Sequence, residues 1–290
     1  MWAKCGFLFL AAIGVCGCRT STLSNDTVEV PARPIKRHVQ PVRMTKDFAV
    51  PVLMYHRIDT LSAKEKTSPL MCDLTVSPEQ FDAQVAYLVK NGFSLVSVKQ
   101  VQDALLGGLA LPERSVAITM DDGYKDNFDQ AFPILLRYGV SATVFLVTKT
   151  LDTPGHLAWN DVNVMRRRQV GVGSHTVSHL DLTTLDADRL DFELRESKRV
   201  LEQRLGQPVE AIAYPSGSYN DGVVERTREA GYLSGWKKGG GPVQPGADPL
   251  LLPRVRVRGC TTMDDFKRMV WSGVYANEKA KTSIHSPYLQ

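Results

Sequence analysis

The chain has no long apolar run. Apart from the stretch Gly6–Val15 behind Lys4, nothing approaches the roughly eighteen apolar residues that read as a membrane-spanning helix, so a protein of several such helices is not indicated. Cysteine is scarce. Of five residues, Cys5, Cys16 and Cys18 crowd the N-terminus, and only Cys72 and Cys260 remain. An oxidising compartment permits a disulfide between those two, and two separate buried thiols are an equal reading. Neither charge sign prevails: 35 Lys and Arg against 31 Asp and Glu give a net +4, little footing for a nucleic-acid partner. No internal repeat is visible. With 43% hydrophobic and 23% charged residues, the composition is that of an ordinary folded protein. A length of 290 residues suffices for one large α/β domain with a full core.

The chain divides into four parts. Residues 1–17 read as a targeting segment, with Lys4 as the positive region and Gly6–Val15 as the apolar one. Val15-Cys16-Gly17-Cys18 resembles a bacterial lipobox, which implies cleavage before Cys18 and lipidation of its thiol. An ordinary signal peptide is the second reading. Residues 18–47 are polar, contain proline and lack periodicity, as a flexible tether does. Residues 48–275 form the folded domain, and 276–290 read as a frayed tail. The expected product is lipid-anchored in the cell envelope. Arg19, rather than Asp, next to the lipid site points to the outer membrane facing the periplasm in a Gram-negative host.

Within 48–275, short apolar runs alternate with amphipathic segments. Val50–Tyr55, Ser94–Val98, Val116–Thr119, Ala142–Val147, Val170–Ser174, Ile212–Tyr214, Leu233–Trp236 and Leu251–Val257 read as strands. Ser77-Pro-Glu-Gln80 reads as a capping box opening a helix. Leu190, Leu194, Leu201 and Leu205 share one face of a long helix that stops at Gly206. Strands regularly interleaved with helices argue for a mostly parallel sheet with helices outside. The polar residues that could carry chemistry fall at the C-terminal ends of these strands, where a barrel places its active site.

Two such groups stand out. Thr119-Met-Asp-Asp-Gly123 ends a buried strand with adjacent carboxylates, and His175-Thr-Val-Ser-His179 carries two imidazoles four residues apart. On a helical turn that spacing puts both rings on one side. One Asp with two His makes an N/N/O set for a divalent metal, with positions left open for water. A metal lowers the pKa of a bound water from about 15.7 to about 7, which suits hydrolysis of an amide or ester. The second Asp is then free to act as general base. Chemistry alone does not say which Asp is which.

These residues also carry a family resemblance. Thr119-Met-Asp-Asp-Gly123 resembles the first motif of the NodB-homology polysaccharide deacetylases, carbohydrate esterase family 4, usually Thr-Phe-Asp-Asp-Gly. His175-Thr-Val-Ser-His179 is similar to their second motif. Pro51-Val-Leu-Met-Tyr-His56 and Ala213-Tyr-Pro-Ser-Gly217 resemble motifs of the subgroup that acts on poly-β-1,6-N-acetylglucosamine. The resemblance implies a distorted, incomplete (β/α)7 barrel; zinc is the conservative choice for the N/N/O set, with cobalt, nickel or iron as other occupants. The resemblance further implies Asp122, His175 and His179 as metal ligands, Asp121 as general base and the backbone N–H of Ser216 as oxyanion donor. The implied partners are an acetylated polysaccharide and components that export it.

The chain departs from the family pattern in two places. Many members have an Arg before the Tyr214 turn that braces the base, where this chain has Ala213. They also carry a late Leu-x-x-His whose His is the general acid, whereas only His285 follows His179 here. The Met-Tyr-His motif of the subgroup implies His56 as the acid instead. Tyr124, Tyr214, Trp236 and Trp159 are the aromatic candidates for a sugar face, while His38 and His156 read as incidental. The expected function is metal-dependent N-deacetylation of an N-acetylglucosamine polymer. Peptidoglycan, chitin and acetylxylan are alternative substrates, and a non-catalytic glycan-binding lipoprotein is the alternative of a different class.

Overall fold

A computed structural model describes residues 43–272. The targeting segment, Cys18, most of the tether, and the tail with His285 lie outside the described residues, as does His38.

Seven parallel strands run in chain order: β1 Val52–Tyr55, β2 Ser115–Met120, β3 Ala142–Leu146, β4 Val170–Ser174, β5 Ala211–Ala213, β6 Ser234–Lys238 and β7 Leu252–Arg256. Each pairs with the next, and β7 pairs with β1, so the ring closes. The seams are uneven. β3 and β4 share five residue pairs, whereas β4 and β5 meet only at Ser174 and Ile212. Seven strands rather than eight, with one thin seam, make this a distorted relative of the (β/α)8 barrel. A two-residue strand, Ser94–Leu95, adds to the outside of β2.

The helices are α1 Pro69–Leu74, α2 Pro78–Lys90, α3 Val98–Gly107, α4 Phe132–Tyr138, α5 Trp159–Arg167, α6 Ala187–Leu205 and α7 Asp221–Glu229, with a further helix over 263–272. Among the described residues, no helix is long and apolar enough to cross a membrane. Several boundaries follow from local chemistry. Ser77 caps α2 by accepting from Gln80 N–H, but the Gln80 side chain donates to Thr261 O instead of closing the box. The helical segment before Gly139 begins as a π-helical turn, Asn127–Ala131, before Pro133 settles α4 and Gly139 ends it in a left-handed conformation. Cys72 and Cys260 are both free thiols, and that of Cys72 donates to Lys66 O.

Strand alternation sorts the core. Outward residues such as Leu53, Tyr55, Ile118, Val144 and Leu146 pack under the helices. Inward residues Val52, Ala117, Phe145, Ala213, Trp236 and Leu252 fill the barrel. Phe145 fits because β4 offers no side chain opposite it: a Cβ on Gly173 would lie 2.4 Å from the ring. The same alternation carries β7 inward at Leu252, Arg254 and Arg256, from the packed floor up to the mouth.

Candidate active site

At the C-terminal mouth lies a cavity of about 490 Å³, lined among others by His56, Asp121, Asp122, His175, His179 and Arg254. His56, Asp121, Asp122 and His175 arrive just beyond strand ends, His179 further along the loop after β4, and Arg254 from within β7. Asp121 and Asp122 follow β2, and Asp122 turns into the left-handed region at φ 71°. Gly123 follows at φ 70°, in a place where a Cβ would meet Leu146 at 2.9 Å. The adjacent carboxylates thus face one cavity without sharing a strand face. Four of the six non-glycine positive-φ residues among those described lie here: Asp122, Thr176, His179 and Ser216. Such backbone persists where surrounding structure over-determines it, commonly at functional sites.

One ligand atom each from Asp122, His175 and His179 lie within 4.8 Å of one another. Asp122 Oδ1 stands 3.5 Å from His175 Nε2 and 3.4 Å from His179 Nε2. The two imidazoles do not share a helical turn, as their spacing suggested. They sit on an irregular loop beyond β4, brought together by the positive φ of Thr176 and His179. His175 Nδ1 meets Ala213 O at 2.8 Å, which fixes the ring with Nε2 toward Asp122. Burial pushes the His175 imidazole below its usual pKa, against the pull of Asp121 and Asp122, so Nε2 keeps a lone pair at neutral pH.

Asp121 sets the main correction. The missing Arg before Tyr214 suggested an unbraced carboxylate, yet Arg254 makes a bidentate pair with it at 2.6 and 2.8 Å. Both side chains are buried. Arg254 Nη1 also donates to Thr119 Oγ1, and its guanidinium lies 5.1 Å from the Phe145 ring centroid. Burial raises the Asp121 carboxyl, but Arg254, then His175, outweigh it and hold the group at about 2. Arg254 shares the inward face of β7 with buried Leu252, and a buried charge needs a partner.

His56 follows β1 and lines the cavity, with Nδ1 buried and unpartnered among the described residues. Its carbonyl accepts from Asn127 Nδ2 at 2.8 Å, and the segment after it is held by Asp126, which accepts from Ile58 N–H. Burial pushes the imidazole below its usual pKa, while Asp121 and Asp122 pull it up. Ser216 sits at φ 57° in the turn after β5. The turn's own bonds come from Gly217 N–H and Ser218 N–H, and Ser216 lines the cavity. Gly217 is required there, since a Cβ would lie 2.9 Å from Lys238 N.

The aromatic candidates separate. Tyr124 lines the cavity, stacked on His156 at 5.4 Å, and His156 lines it too. Trp236 is fully buried among Phe145, Val52 and Leu252, and offers no face to a sugar. As an inward β6 residue it fills the barrel floor. Tyr214 touches the cavity but is fully buried, with its hydroxyl spent on Leu250 O. Trp159 packs outside the barrel under Arg204.

The fold and this mouth define a parallel α/β-barrel enzyme with its chemistry at the C-terminal face. A family model described as polysaccharide deacetylase matches residues 109–235. YxkH of Bacillus subtilis (strain 168), assigned to the polysaccharide deacetylases, is 30% identical over 216 residues, covering 74% of each chain. The poly-β-1,6-N-acetyl-D-glucosamine N-deacetylase of Staphylococcus epidermidis is 24% identical over 250 residues, covering 76% of this chain and 82% of that one. The Streptococcus pyogenes deacetylase PplD, solved with acetate, superposes with a TM-score of 0.73 at 28% identity, covering 77% of this chain and 99% of that one. The chain belongs to the polysaccharide deacetylase family, and is a hydrolase of carbon–nitrogen bonds other than peptide bonds.

Proposed function

We propose that this deacetylase is metal-dependent and removes N-acetyl groups from poly-β-1,6-N-acetylglucosamine. The observation that carries the reading is the convergence of an Asp/His/His set, an ionised Asp121 and an unpartnered His56 on one cavity. The residues fit a divalent ion. Asp122 Oδ1 is buried without a hydrogen-bond partner, and both imidazoles approach it through Nε2. Asp122, His175 and His179 would hold the ion, with zinc the conservative choice and cobalt, nickel or iron also suited to the donors. When bound it supplies Lewis acidity to the acetamide carbonyl and makes water more acidic.

The chain's own groups do the rest. Asp121, kept ionised by Arg254, accepts the proton of the attacking water as its oxygen bonds to the acyl carbon. The Ser216 N–H stands ready to donate to the tetrahedral oxyanion; one such donor is typically worth about 2.7–4 kcal/mol. His56 protonates the departing nitrogen. Its low intrinsic basicity rises once negative charge develops beside it. The carbon–nitrogen bond then breaks to acetate and an amine.

The choice of polymer rests on Met54-Tyr55-His56 at the end of β1, supported by the likeness to the S. epidermidis enzyme. Peptidoglycan, chitin and acetylxylan are the competing substrates, and a glycan-binding protein without turnover is the competing class. Acetate release from each polymer separates them. The wild type is expected to favour the β-1,6 polymer, and His56→Ala to lose about 10²–10⁴-fold in turnover while keeping its metal. Near-normal kinetics in His56→Ala would remove the acid role. A clear preference for chitin or xylan would discard the polymer and leave the mechanism.

We also propose the envelope location, with residues 1–17 removed, Cys18 lipidated, 18–47 acting as tether and 48–275 as the catalytic domain. Metabolic labelling with a fatty acid is expected to mark the wild type, and Cys18→Ser should lose both label and membrane association. Equal labelling of the two proteins would refute it.

A further inference from the structure

The two cluster histidines hang on a loop with no regular structure of its own, held in a conformation that L-residues disfavour. Thr176 and His179 keep φ values of 68° and 55°. What pins the loop is the face of α6 beneath it. Glu193 is a carboxylate with no solvent exposure, and its Oε2 accepts from two successive backbone N–H groups, Val177 at 2.9 Å and Ser178 at 2.8 Å. Consecutive N–H groups converging in this way after a left-handed residue form a nest that takes an anion. Here the anion belongs to the chain itself. Its other oxygen, Oε1, accepts from Arg189 Nη2 at 2.8 Å.

One helical turn further on, Ser197 holds the root of the same loop. Its Oγ lies 2.9 Å from Ser174 Oγ, and Ser174 Oγ accepts from Thr176 N–H at 3.1 Å. Thr176 Oγ1 in turn accepts from His179 N–H at 3.1 Å. Glu193 and Ser197, four apart on one helix face, therefore fasten the tip and the root of the segment that joins His175 to His179.

We propose that Glu193 is a positioning residue of the metal site. Its buried charge holds the 177–178 peptide so that both Nε2 atoms already face Asp122 before an ion arrives. This rests on the metal-dependent reading above. Without the carboxylate, the Val177 and Ser178 N–H groups lose their acceptor, and the loop can relax out of its left-handed conformations. His179 would then have to be ordered by the ion, and that ordering is drawn from binding affinity. Losing an outer partner of a metal ligand typically weakens metal affinity about 10–100-fold. Gln keeps the shape and a carbonyl acceptor but gives up the charge assistance, which makes such bonds roughly twice as strong.

The test is zinc affinity, measured on the full chain by competition with a chromophoric chelator, well below the unfolding transition. Glu193→Ala is expected to bind zinc about 10–100-fold more weakly, with Glu193→Gln between it and the wild type. Thr227→Val, which removes a buried hydroxyl bonded to Val223 O on α7, is expected to lower thermal stability and leave zinc affinity alone. Glu193 variants that behave in the same way, less stable but with wild-type affinity, would overturn the proposal. If Glu193→Ala does not fold, Glu193→Gln decides: weakened affinity supports the role and unchanged affinity overturns it. His179→Ala separates this idea from the reading beneath it. Equal zinc affinity in wild type and His179→Ala would remove the metal site and the proposal with it.

Discussion

His179→Ala is expected to lose its bound metal and essentially all deacetylation while the barrel stays folded. His179 is partly exposed and Asp122 lies at the cavity wall, so neither belongs to the packed core on which stability rests. Removing one of three ligand atoms leaves an N/O pair that cannot hold a divalent ion against water. Asp121→Asn is the complementary variant. It retains the ligand set and is expected to keep its metal, yet to lose turnover by about the 10²–10⁴-fold that a positioned base contributes. Metal content by elemental analysis, beside acetate release, separates the two outcomes. Full metal stoichiometry and activity in His179→Ala would sink the ligand assignment.

Arg254→Met should produce the largest loss of stability. The pair with Asp121 is buried on both sides, and removing one partner of such a pair typically costs about 3–5 kcal/mol, because the other charge is left uncompensated. The pH dependence should change sign. In the wild type the Asp121 carboxyl is held at about 2, below the unfolded range near 4. Its stabilising contribution is therefore intact at neutral pH and fades as pH falls from about 4 through 2. With Arg254 gone, burial acts without its main counterweight and favours the neutral acid. Stability of Arg254→Met, measured in the presence of a metal chelator, should then decline as pH rises toward 7. Urea unfolding at pH 4 and pH 7 tests both claims. An unchanged midpoint at pH 7 would show that the pair adds nothing to the fold.

The strands were legible because barrel strands are buried on both faces and read as short apolar runs. Val170–Ser174 coincides with the strand read from the sequence, and Val116–Thr119 lies just inside Ser115–Met120. Helix ends were legible where a cap or glycine marks them, as at Ser77 and Gly206. Adjacent carboxylates and paired imidazoles, together with the family motifs around them, identified the cluster of Asp122, His175 and His179. All of these signals are local. They depend on side chains within one turn or one strand.

What only the tertiary structure decided lies across the ring. Arg254 and Asp121 are far apart in sequence, and they meet because β7 closes the barrel on β1, which in turn pairs with β2. No local pattern announces such a closure, so the brace on Asp121 was missed. Trp236 and Tyr214 read as possible sugar faces, because an aromatic residue carries no mark of whether its strand position points to the floor or the mouth. The same holds for Glu193, one acidic residue among many on an amphipathic helix until α6 is seen beneath the histidine loop. The sequence by itself determined the class of fold, the motifs and the chemistry available to them. Partnership between distant residues was decided by ring closure and burial, because a buried charge or strained loop is held only by whatever the folded chain brings to it.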